Sequence, residues 1–135
     1  MKNKDLDWRI WNKNDLVEER TYSRATGKIP EMESAKQLRK ILGNIHKDES
    51  VLDVGCASGH YLRSIRLINN DCIYTGIDAT KKYVDNANII YQSDTNAKFI
   101  EGDIYSLKLK ADIVFCCNVL LHLPDINLAL LNLLN

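Results

Sequence analysis

The sequence predicts an α/β fold: a doubly wound, mostly parallel sheet of about four strands with flanking helices. Two observations carry this reading. Short apolar, β-branched runs alternate with segments of helical periodicity, the pattern of parallel strands joined by crossover helices. The first run, Val51-Leu52-Asp53-Val54, also enters a turn of small residues, Gly55-Cys56-Ala57-Ser58-Gly59, that leads directly into a helical segment. Such a turn lets a ligand approach the backbone, with free N–H groups of the helix start facing it.

In chain order, residues 1–29 are polar and irregular, with Trp8, Ile10 and Trp11 as isolated anchors. Asp15 to Arg24 reads as a short helix stopped at Gly27, and the whole segment as a flap or cap on the main body, residues 30–135. Pro30 stands where a helix can begin, with Glu31 and Glu33 suited to its positive end. Ala35, Leu38, Ile41, Leu42 and Ile45 then recur at helical spacing, and Gly43 and Asn44 mark the end.

Ser50–Val54 is the first strand, and Gly59–Asn69 a helix with Leu62, Ile65 and Ile68 on one face. Cys72–Ile77 follows as strand, Thr80–Tyr91 as helix with Tyr83, Val84, Ala87 and Ile90 inward, and Ala97–Glu101 as the third strand. Ala111–Cys117 is nearly all apolar and reads as a strand covered on both faces. Leu123-Pro124-Asp125 opens a last, leucine-rich helix. No later strand pairs with 111–117, so the reading expects a truncated chain, or a second copy or other partner covering that edge.

At 135 residues the chain forms one domain or most of one. Its 18 basic and 18 acidic residues cancel, so no net field draws it to nucleic acid or to an anionic membrane, and neither partner is expected. The N-terminus lacks an apolar signal region, and the apolar stretch Ala111–Leu123 is too short to cross a bilayer. The four cysteines, Cys56, Cys72, Cys116 and Cys117, make no C-x-x-C pair and read as reduced, buried thiols of a cytoplasmic protein. No His, Asp and Glu cluster has metal-ligand spacing, so no metal is predicted.

In doubly wound sheets ligands lie at the carboxyl ends of the strands. There the sequence offers Asp53 to Gly59, then Asp78 with Ala79, then Gly102-Asp103-Ile104, and finally Asn118. Asp78 stands roughly twenty residues after Gly55, the interval at which an acid accepts hydrogen bonds from a ribose. It also suits the cap of the next helix, and the two roles are compatible. The glycine spacing is G-x-x-x-G and not the dinucleotide G-x-G-x-x-G, and Asp53 would oppose a pyrophosphate. A ligand carrying an ammonium and a sulfonium would welcome that acid. Gly59-His60-Tyr61 lacks the lysine of a Walker loop.

Val51–Gly59 resembles motif I of the class I S-adenosylmethionine-dependent methyltransferases, a Rossmann-like family. Tyr74–Asp78 resembles their second-strand motif and Phe99–Ile104 their third. Asp112–Asp125 resembles the fourth strand and its turn. The resemblance covers about residues 30 to 135, with Ala57 standing where many members have glycine. It implies the strand order 3-2-1-4 without the family's last three strands, and S-adenosyl-L-methionine as cofactor. By the same resemblance Gly55, Gly59 and the backbone of Cys56, Ala57 and Ser58 would line its methionine part, and Asp53 would bind the amino group. Asp78, beside Ala79, would hold the ribose hydroxyls. Asp103 would accept from the adenine amino group with the Ile104 backbone beside the ring, and Asn118 would face the methionine end.

The chemistry so implied is transfer of a methyl group to an unidentified acceptor, expected to be a small molecule. No base is obligatory; His122 and Tyr22 are the candidates, with Arg24 beside Tyr22 in the flap and His60 flanking the cofactor. Asn118 is followed by Val-Leu-Leu and not by Pro-Pro and an aromatic, unlike the amino-methyltransferases of DNA bases or glutamine side chains. The alternatives are a non-catalytic adenosylmethionine-binding fragment or interaction module completed by a partner, and an NAD-dependent oxidoreductase, which Asp53 disfavours.

Overall fold

In the computed structural model, residues 14–43, 45–117, 123 and 125–134 are described. Strands β1 (Ser50–Val54), β2 (Ile73–Asp78), β3 (Ala97–Glu101) and β4 (Ile113–Phe115) form one parallel sheet in the order β3-β2-β1-β4. Around it lie α1 (Asp15–Thr26), α2 (Glu33–Leu42), α3 (His60–Ile65), α4 (Lys81–Ile90) and α5 (Ile126–Leu134).

Alternation along β1 sorts the core into two layers. Val51 joins Tyr74, Phe99, Leu62, Ile65, Val84 and Ala87 on the face of α3 and α4. Leu52 and Val54 join Ile77, Ile104 and Ala129 of α5 on the other. Cys116 and Cys117 follow the same rule, one packed on each side, and both are only half-buried, whereas Cys56 and Cys72 are fully buried.

The helix ends have local causes. Asn14 accepts from the Val17 N–H at 3.1 Å to start α1, and Gly27 closes it in the left-handed conformation. α2 starts at Glu33, later than Pro30 suggests. Glu31 stays outside the helix, where it binds Arg39 and accepts from Ser64 Oγ at 2.6 Å. Ile41, periodic in sequence, points to solvent. α5 starts after Asp125, whose side chain accepts from the Leu128 N–H at 2.9 Å.

Two elements are shorter than their patterns. α3 stops at Ile65 because Leu67 and Ile68 bond back only three residues, and Asn69 Oδ1 takes the N–H groups of Asp71 and Cys72. β4 begins at Ile113 because Asp112 is used as a bracket: its carboxylate accepts from Ser50 N at 2.8 Å and Ser50 Oγ at 3.0 Å. β4 is also not covered on both faces. Val114 is 38% exposed, and β4 pairs with β1 alone among the described residues.

Candidate functional site

The turn between β1 and α3 is held by the strand beside it. The Ile77 carbonyl accepts from both Gly55 N at 2.7 Å and Cys56 N at 3.0 Å. Gly55, Ala57 and Gly59 all have positive φ, at 79°, 49° and 83°. For Gly59 no other residue fits: a Cβ would lie 2.8 Å from carbon atoms of both Phe99 and Tyr91. Tyr91 hydroxyl closes the turn from α4, donating to the Gly59 carbonyl at 2.6 Å, while its ring stacks on Phe99. The Cys56 and Ser58 side chains are wholly buried, and Ser58 Oγ bonds Thr21 Oγ1 of α1 at 3.2 Å. The turn thus presents its backbone to a ligand, with Ala57 as its one partly exposed side chain.

Two carboxylates flank it. Asp78, the last residue of β2, accepts from Ala57 N at 2.9 Å through one oxygen and from Thr80 N at 2.8 Å through the other. The Thr80 side chain adds a further hydrogen bond, and a carboxylate with about four acceptor sites keeps capacity for another donor. Burial is the main influence on its carboxyl and raises its pKa. Asp53 is 1% exposed and accepts from the Tyr74 hydroxyl. Burial pushes its pKa up to about 7; the Tyr74 bond opposes the rise and the Asp78 charge adds to it. Among the described residues no lysine, arginine or histidine bonds it.

The third strand end is tied to the second, Gly102 N donating to the Asp78 carbonyl at 2.9 Å. Asp103 beyond it is engaged locally, accepting from Tyr105 N, Ser106 N and Ser106 Oγ at 2.8–3.0 Å. The Ile104 side chain is in the core, and its carbonyl accepts from Asn132 Nδ2 at 3.0 Å. Asp53, Gly55–Gly59, Asp78 and Asp103 therefore share one carboxyl edge, and Ala79 continues it toward α4. Asn118 and His122 lie outside the described residues. Tyr22 sits on α1 next to Thr21, with the Lys28 ammonium 5.6 Å from its ring centre.

Three participants were not singled out from sequence. Tyr74 and Tyr91 reach the turn only once register and helix packing are known. Thr21 does so through α1. His60, noted from sequence, has a buried Nδ1 without a hydrogen-bond partner among the described residues. Burial, then the Arg24 charge, holds its pKa down at about 4, so the ring is neutral.

A model of the methyltransferase domain family matches residues 45–135. Ribosomal RNA large subunit methyltransferase E of Methanococcus aeolicus is 34% identical over 125 residues, 86% of this chain and 44% of that protein. Among solved structures, a SAM-dependent methyltransferase from Aquifex aeolicus superposes with a TM-score of 0.69 at 18% identity, over 89% of this chain and 65% of that one. The YcgJ protein of Bacillus subtilis gives 0.65 at 26% identity, over 73% of this chain and 43% of that one. The chain thus spans less than half the length of the ribosomal RNA methyltransferase it matches. With the family match running from before β1 through α5, on a parallel sheet of order β3-β2-β1-β4, the chain belongs to the class I S-adenosylmethionine-dependent methyltransferase family.

Proposed function

We propose that this carboxyl edge binds S-adenosyl-L-methionine and that the chain serves transfer of its methyl group to an acceptor. The observation that carries the reading is Asp53, a buried carboxyl beside a backbone-lined turn, with a phenol and, among the described residues, no cation as its hydrogen-bond partner. A buried acid so placed gains most from a ligand that brings its own positive charge. The cofactor's ammonium fits it. Asp78 keeps acceptor capacity for the ribose hydroxyls beside Ala79, and Asp103 and the Ile104 backbone are assigned to adenine. Asn118 is assigned to the methionine end.

When bound, the sulfonium supplies an activated methyl that an acceptor nucleophile takes by in-line displacement. The chain's own residues position the cofactor and keep water from it. Any proton transfer is assigned to His122 or Tyr22. We take residues 1–29 as the cap and 30–135 as the cofactor-binding part, in a cytoplasmic protein. A second copy or another partner would cover the β4 edge.

A small molecule remains the acceptor we propose, on the balanced charge. RNA is the second reading, favoured by the 34% identity to a ribosomal RNA methyltransferase. Calorimetry with S-adenosylmethionine and S-adenosylhomocysteine tests binding, and absence of heat with both refutes the site. Labelled methyl transfer to a small-molecule pool and to ribosomal RNA, run side by side, chooses the acceptor. Binding without transfer to either favours the non-catalytic module. Asp78→Ala should abolish binding while the protein stays folded; an unchanged affinity would remove Asp78 from the site.

A further inference from the structure

We propose that Tyr74 is a positioning residue for the cofactor's ammonium: its hydroxyl holds the Asp53 carboxylate in place beside the turn, so that cofactor binding is tied to the proton on Asp53. This rests on the adenosylmethionine reading above and adds a residue and a linkage to it.

The geometry begins with strand register. Val51 pairs with Tyr74 and Asp53 with Gly76, so Tyr74 and Asp53 share a sheet face as diagonal neighbours, within reach of a long aromatic side chain. The residue directly opposite Asp53 contributes nothing. A Cβ on Gly76 would lie 2.7 Å from Phe99 Cδ1 and 2.9 Å from Cys56 Sγ, so the position admits no side chain. The phenol of Tyr74, itself wholly buried, fills the role from two residues earlier.

Among the described residues, the titratable groups that interact electrostatically with Asp53 are all acids: Tyr74 and Asp78 from β2, Cys56 from the turn, Tyr61 from α3, Tyr91 at the end of α4, and Cys116 and Cys117 after β4. Among the described residues, Tyr74 alone donates it a side-chain hydrogen bond. Without that donor, Asp53 would keep its proton well into the neutral range, and a neutral acid cannot pair with an ammonium. Below neutrality, binding then requires Asp53 to give one proton to solvent as the ammonium arrives.

The test is calorimetry of the full chain with S-adenosylmethionine from pH 5.5 to 9, in two buffers of different ionisation enthalpy. The natural protein should release close to one proton at pH 6 and gain affinity as pH rises through about 7. Tyr74→Phe keeps the ring contact with Phe99, at 5.6 Å between centroids. Losing a hydrogen bond to a charged group should move the affinity rise up by about one pH unit. Affinity at pH 7 then falls about 5-fold against the natural protein, and the gap closes by pH 9. Asp53→Asn should remove the proton release at pH 6. A natural protein that binds at pH 6 without releasing a proton overturns the proposal with no variant needed. A uniform affinity loss in Tyr74→Phe at every pH also overturns it, since it marks a purely structural role. Failure of the natural protein to bind at any pH overturns the adenosylmethionine reading itself.

Discussion

Gly59→Ala tests the central claim about the turn, that its conformation is imposed by packing from two sides. Gly59 has φ 83° and ψ 25°. An alanine held there costs about 1–2 kcal/mol, less about 0.4–1 kcal/mol regained from a stiffer unfolded chain. The new Cβ would also meet Phe99 and Tyr91 ring carbons at 2.8 Å. Those rings are stacked on each other, and Tyr91 is tied to the Gly59 carbonyl, so neither swings away freely. Overpacking of this kind adds about 1–3 kcal/mol, for a total near 3 kcal/mol. Gly27→Ala is the matched control. Its φ is 81°, but a Cβ there would meet the Arg63 guanidinium only at 3.2 Å and beyond, a milder contact than ring carbons at 2.8 Å even though Arg63 bonds the Arg24 and Ile29 carbonyls, so the backbone cost of roughly 1 kcal/mol dominates. Urea unfolding followed by far-UV circular dichroism reads both, as shifts in midpoint at constant slope. If Gly59→Ala costs no more than Gly27→Ala, the packing of Phe99 and Tyr91 onto the turn is wrong.

Two further substitutions probe the same stretch. Ala57 sits at φ 49°, so Ala57→Gly should relieve strain and stabilise the protein by roughly 0.5–1 kcal/mol, raising Tm by about 2–5 °C in a thermal scan; a lower Tm refutes it. Asp53 has its carboxyl raised from 3.8 to about 7 in the folded state. The folded state therefore binds more protons, and this group's effect on stability turns unfavourable as pH rises from about 4 to 7. Asp53→Asn should accordingly stabilise the ligand-free protein at pH 8, by on the order of 4 kcal/mol at most, with little effect at pH 4. Urea midpoints at the two pH values check this, and equal shifts at both would contradict the burial of an ionising group.

Much of the sheet was legible because short apolar and β-branched runs, bounded by polar residues or glycines and alternating with helical periodicity, need no partner to be recognised. Ser50–Val54 and Ala97–Glu101 coincide with their patterns. β1 ends before Gly55, β2 at Asp78 and β3 at Glu101 before Gly102, whereas β4 ends at Phe115, before Cys116 and Cys117. Side chains that replace backbone pairing were not legible. Asp112 looks like an interruption inside a strand, but it brackets Ser50 and so shortens β4. Asn69 looks helical by spacing, but its amide oxygen serves the next strand. At the site, Asp53 and Asp78 were legible by position, yet their environments were not. The Tyr74–Asp53 bond spans neighbouring strands and depends on register, which no local pattern encodes. Asp103 shows the reverse: its position marks a strand end, while its three local bonds mark a turn.

The two ends of the sheet differ in how well their polar groups are satisfied. At the amino end, Asp112 and Ser50 bind each other, and Arg66 joins Asp94 to the Cys72 carbonyl. Asn69 meets Ile45, Asp71 and Cys72. At the carboxyl end, the short stretch from Asp53 to His60 holds, among the described residues, a buried acid without a cation, an alanine at positive φ and an imidazole nitrogen without a partner. A chain able to satisfy one end so fully has no folding reason to leave the other strained. Two of these deficits are of a kind that a bound group can relieve: a positive charge for Asp53, and a polar atom for His60 Nδ1. Local violations that converge on one edge, while the rest of the fold is consistent, mark a surface shaped for a ligand. On that ground S-adenosylmethionine should raise stability more than its contacts with Asp78 alone would supply, because it also relieves the buried charge of Asp53.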